Sequence, residues 1–106
     1  MKTIQLDFKA INSLETLHHT LKEQMGFPDF YGANIHALID CLSSIRYPED
    51  GMSKITLEKD EILMIETTQL SQASEVLLRH LLIAVEDVNN RQIARGNQPD
   101  IYICLR

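Results

Sequence analysis

The chain has 106 residues, 44% hydrophobic and 24% charged, with a formal net charge of −5. That is enough for one domain (1–106) with its own core, and the composition argues against disorder. The acidic excess disfavours free nucleic acid, whose phosphates need clustered Lys and Arg, and suits a basic protein partner through electrostatic steering. No apolar run reaches membrane-spanning length, so no membrane contact is expected. The N-terminus alternates and carries Asp7, unlike a signal peptide, so a cytoplasmic location is expected. Cys41 and Cys104 give no disulfide framework and read as buried thiols.

Residues 2–8 alternate, with Ile4, Leu6 and Phe8 on one face, and read as a strand. Asn12 or Ser13 then caps a helix whose stripe is Leu14, Leu17, Leu21 and Met25, and Gly26 is its C-terminal cap. His18 and His19 point about 100° apart and read as surface histidines. Pro28 and Gly32 bracket an aromatic-rich loop, Gly32 being free to adopt positive φ. Asn34 caps a second helix with Ile35, Leu38, Leu42 and Ile45 on its core stripe. His36, Asp40 and Ser43 fall on the other side with Ile39 at the border, so Phe30, Tyr31, His36, Ile39 and Asp40 are expected outward as a docking surface. A solvated polar face is the plainer alternative.

Arg46 to Gly51 is a turn cluster, and residues 54–58 alternate as an extra edge strand or an extended arm. Residues 61–67 hold a continuous apolar run, the pattern of a central strand covered on both faces. Ser71 or Ser74 opens a long helix with Leu77, Leu81, Ala84, Val85 and Val88 on its core stripe. Leu78, Leu82 and Ile83 widen that stripe; deep burial is expected, with a self-association contact as the alternative. Residues 89–99 read as a polar loop and 100–105 as the last strand. Helical crossovers favour parallel pairing, so the fold class is α/β, a small parallel sheet packed with helices.

The run from Phe27 to Leu42, with Leu17-His18 and Thr20-Leu21-Lys22 upstream and Tyr47-Pro48 downstream, resembles the barstar-like family of intracellular ribonuclease inhibitors. The resemblance implies three parallel strands and a cis Tyr47–Pro48 bond. It also implies a loop and helix that enter a ribonuclease active site, with acids standing in for RNA phosphates. Asp40 matches the key carboxylate, Phe30 a contact aromatic, and Gly32 and Asn34 positions that shape and cap the loop. Ala33 and His36 stand where the prototype has acids and Ile39 where it has a tryptophan, so barnase itself is not the expected partner. His36 would make binding sensitive to pH near neutrality. The family's further acid from the long helix corresponds to Glu75, Glu86 or Asp87, of which Glu86 is chosen. Residues 49–60 have no counterpart and read as an insertion.

His36 and Asp40 share a helix face at i, i+4, but no third metal ligand accompanies them, and no HExxH, CxxC, P-loop or GxSxG motif occurs. No enzyme activity, metal or cofactor is expected. The reading is a ribonuclease-binding protein of the antitoxin or immunity type. The expected partner-facing residues are Phe30, Tyr31, Gly32, Ala33, Asn34, His36, Ile39, Asp40, Ser43 and Glu86. The alternative is an interaction or assembly module that no longer inhibits.

Overall fold

A computed structural model describes all 106 residues. Its elements are β1 (Lys2–Asp7), α1 (Leu14–Met25), α2 (Ile35–Ser43), β2 (Leu63–Thr68), α3 (Glu75–Ala94) and β3 (Ile101–Leu105). The strands form one parallel sheet in the order β1-β2-β3, so β2 is central as its apolar run implied. Ile4, Leu6, Leu63, Ile65 and Ile101 face the helices and are buried. The expectation of cover on both faces is corrected: Met64 and Glu66, which alternate with the buried residues of β2, are only partly covered. The period-2 alternation, not the apolar run, decides which side is dry.

The helix ends were legible. Ser13 caps α1 in a reciprocal box with Thr16, Asn34 caps α2 and Ser74 caps α3. Gly26 ends α1 in the left-handed region at φ 72°, and a Cβ there would meet Lys54 at 2.6 Å. The reason is the 51–58 segment, which is an arm and not a strand. The Met25 carbonyl accepts from Ser53 Oγ and from the Lys54 and Ile55 amides, so the arm closes the end of α1. Leu57 then enters the core at 3% exposure, with its amide donating to the Ile45 carbonyl at 2.7 Å.

Three further expectations are corrected. The Tyr47–Pro48 bond is trans, like every other peptide bond in the chain. Pro48 opens a 3-10 turn at its first position, where a missing N–H is harmless. Helix α3 runs to Ala94 through the segment read as a loop. Leu82 and Ile83 are exposed rather than deeply buried.

Each sheet edge is met at one place by a helix amide side chain. Gln24 of α1 accepts from the Gln5 amide at 2.7 Å and donates to its carbonyl. Asn89 of α3 accepts from the Asp100 and Ile101 amides at 3.1 and 3.0 Å and donates to the Ile101 carbonyl at 2.8 Å.

At the start of β3, Asp100 is fully buried and its Oδ1 accepts from Arg46 Nε at 2.6 Å. The same guanidinium donates to the Glu58 and Glu61 carbonyls, while the Asp100 carbonyl accepts from the Leu63 amide. One ion pair thus ties the segment after α2, the arm and the two strands together.

His18 is also not a surface residue: it is 3% exposed, whereas His19 is exposed as expected. Its Nδ1 lies 2.5 Å from the Tyr31 hydroxyl and its Nε2 lies 2.9 Å from His80 Nε2. Whichever way the protons run along this chain, at most one of the two rings can be charged, because two protonated Nε2 atoms cannot face each other. Burial, and then the neighbouring His80, holds the His18 pKa down at about 4, and burial lowers that of His80 as well. Burial likewise raises the Tyr31 hydroxyl, so this chain carries no charge at neutral pH.

Removing one member of the buried ion pair strands the other. Asp100→Ala is expected to cost about 3 kcal/mol in urea unfolding, and Asp100→Ala with Arg46→Met is expected to recover part of it. The sign for His18 follows from its lowered value: unfolded His18 takes up a proton near pH 6.5, folded His18 only near pH 4. Its contribution is full above about pH 6.5 and is lost as pH falls toward 4, on the order of 3 kcal/mol in all. His18→Gln is expected to flatten the stability profile across that window, read by thermal unfolding at a series of pH values.

Candidate protein-binding site

Phe27, 5% exposed, anchors the loop before α2, and its ring packs on Tyr31 with centroids 4.9 Å apart. The Tyr31 amide donates to the Pro28 carbonyl at 2.9 Å, closing a tight turn. That turn throws Phe30 outward at 76% exposure while Tyr31 turns in toward His18. The loop's strained residue is Ala33, at φ 52°, and not Gly32, which stays out of the left-handed region. An alanine held there costs backbone energy that the surrounding fold must offset. The Asn34 side chain then accepts from the Ala37 amide at 2.8 Å and starts α2.

Helix α2 buries Leu38, Ile39, Cys41 and Leu42. Ile39 is thus corrected from a contact residue to a core residue, at 6% exposure. It sits four residues after Ile35 and three before Leu42, so it joins their stripe. Burial, and then Asp40, pushes the Cys41 thiol up to about 11, as befits a packed, unreactive cysteine. Cys104 is only partly buried, less than expected.

His36 and Asp40 point outward together with Phe30, Gly32 and Ala33. Asp40's side chain is 65% exposed, and its Oδ1 lies 3.6 Å from Arg91 Nη1 of α3. The same Arg91 reaches Asp87 Oδ2 at 4.0 Å and donates to Ser43 Oγ at 3.2 Å. Two carboxylates therefore share one exposed cation and leave a local negative surplus. Such an exposed pair holds with only about 0–1 kcal/mol, so an incoming cation can replace Arg91 at Asp40. Beside Tyr31 and Ala33 lies a shallow cleft of about 470 Å³, lined also by Glu15, His18, His19 and Lys22. A larger hollow of about 700 Å³, near Arg46, Leu57 and Tyr102, is lined by none of the loop or α2 residues.

Of the sequence-derived set, Phe30, Gly32, Ala33, His36 and Asp40 come together as an exposed ridge. Tyr31 and Asn34 build that ridge from within, and Ser43 is engaged by Arg91. Glu86 stands apart: it is exposed and in no ion pair, while Asp87, one residue on, is linked to Asp40 through Arg91. Sequence reasoning missed His18, His80 and Arg91. For His18 a signal existed, since it lies one residue after Leu17 and three before Leu21, on the flank of the apolar stripe. No group of three or more His, Cys, Asp or Glu side chains converges as a metal site, and no helix is long and apolar enough to cross a membrane.

Comparison with known proteins places the chain in a family. The "Putative ribonuclease inhibitor YrdF" of Bacillus subtilis (strain 168) is 44% identical over 43 residues, 41% of this chain. That match spans about half of the relative's length, 47%. The family described as Barstar (barnase inhibitor) matches residues 1–104. With its three parallel strands, its capped loop–helix ridge and a family match over nearly its whole length, the chain belongs to the barstar family.

Proposed function

We propose that this chain binds a ribonuclease inside the cell and blocks its active site with the 27–44 loop and helix, acting as an antitoxin or immunity protein. The observation that carries this reading is Asp40, exposed on a helix whose other face is locked into the core and neutralised only by a displaceable Arg91. A ribonuclease cleft gathers Arg, Lys and His to hold phosphate, and a fixed carboxylate can make charge-assisted hydrogen bonds to the same groups. Phe30 supplies the apolar contact and Asp87 extends the acidic surface toward α3. The notch beside Ala33 and Tyr31, about 470 Å³, has room for a side chain of the partner. Both cysteines are free thiols, which suits a reducing cytoplasm.

The second reading, an interaction module without inhibition, draws on Ile39. Its burial leaves Phe30 as the loop–helix ridge's one large exposed apolar side chain, and Ala33 and His36 add no carboxylate. A ridge with one large aromatic and two exposed acids, Asp29 and Asp40, is a modest anchor.

The two readings separate in a panel of small secreted ribonucleases assayed for inhibition. Inhibition of at least one enzyme is expected. Asp40→Ala is expected to weaken it about thirtyfold, the equivalent of about 2 kcal/mol for a hydrogen bond to a charged group. Inhibition that persists unchanged in Asp40→Ala rejects the contact mode, and none across the panel favours the module.

A further inference from the structure

We propose that α3 pairs antiparallel with α3 of a second copy, about a twofold axis passing between Leu82 and Ile83. The core-facing stripe of α3 is Leu77, Leu81, Ala84, Val85, Val88 and Gln92. The opposite side leaves Val76, Leu82 and Ile83 at 61%, 53% and 45% exposure. Adjacent large aliphatic side chains in the middle of a surface helix are not needed by the fold, because the core is complete without them.

The charges around them name the occupant. Arg79 and Glu86 are exposed, and neither takes part in an ion pair within the chain. Seven residues are about two turns, so these side chains lie nearly in line and about 10 Å apart along the axis. Their midpoint falls between Leu82 and Ile83, which flank that line on either side. A twofold axis at the midpoint brings Arg79 opposite Glu86 of the second copy, and Glu86 opposite its Arg79. The four aliphatic side chains then meet at the centre, with an ion pair at each end. A patch that is its own complement under a twofold rotation is what an isologous dimer requires.

Asp87 and Arg91, by contrast, reach toward α2 and Asp40, so the proposed contact is centred away from the Asp40 ridge. The apolar centre is small beside the roughly 800 Å² per partner of a standard interface, so the dimer is expected to be reversible, with Kd on the order of 0.1 mM.

Sedimentation velocity across a concentration series up to about 1 mM tests this. The wild-type chain is expected to shift reversibly from monomer to dimer, and Leu82→Glu to remain monomeric with an unchanged circular dichroism spectrum. Arg79→Glu is expected to weaken the dimer at least about fivefold, by like-charge opposition across the interface. Arg79→Glu combined with Glu86→Arg is expected to restore it to about the wild-type value. A wild-type chain that stays monomeric throughout overturns the proposal and leaves the face to a different protein. A dimer indifferent to Leu82→Glu, or a double reversal that fails to restore pairing, overturns the antiparallel α3 contact.

Discussion

The contact between Arg46 and Asp100 holds the rest of the architecture in place. A fully buried carboxylate is tolerable only with a cation beside it, and this cation comes from the segment immediately after α2. Because Arg46 also donates to two carbonyls near the end of the arm, its position fixes where the chain re-enters the sheet. The first residue of β2 pairs with the backbone of Asp100 itself. The helix carrying the exposed acid and the sheet beneath it are thus referenced to one point.

From that base the ridge is built by polarity as much as by packing. The apolar side of α2 is conventional. The loop ahead of it is held by an uncharged relay from Tyr31 through His18 to His80, which reaches across three segments of the chain. That relay lets Phe30 face water without the loop collapsing over it, and it lets Ala33 persist in a backbone conformation it would not choose alone. Rigidity of this kind lowers the ordering cost of binding, which suits a surface meant to enter another protein's cleft.

Local signals were readable in the sequence and long-range ones were not. Ser13, Gly26, Asn34 and Ser74 were identifiable because a cap depends on the chain within a few residues of itself. The strands and their parallel pairing followed from alternation in β1, a continuous apolar run in β2 and the helices between the strands. Asn89 misled because asparagine weakens helices locally, yet here its amide serves β3 from across the packing interface. His18 misled because its partners lie 13 and 62 residues away. Ile39 lay at the edge of a stripe, where the neighbouring element decides which way the border falls. The resemblance located the loop and Asp40 but carried over a cis proline bond that this chain does not have.

The paired amides of Gln24 and Asn89 bear on how the molecule survives crowding. Exposed β edges invite a neighbour's backbone to continue the ladder, the first step toward fibrous aggregates. Here each outer strand is stoppered near its middle or its start, so a foreign strand would find its run of free amides interrupted. A three-stranded sheet, too narrow to curl into a closed barrel, thus offers an intruding strand a shorter uninterrupted margin on either side.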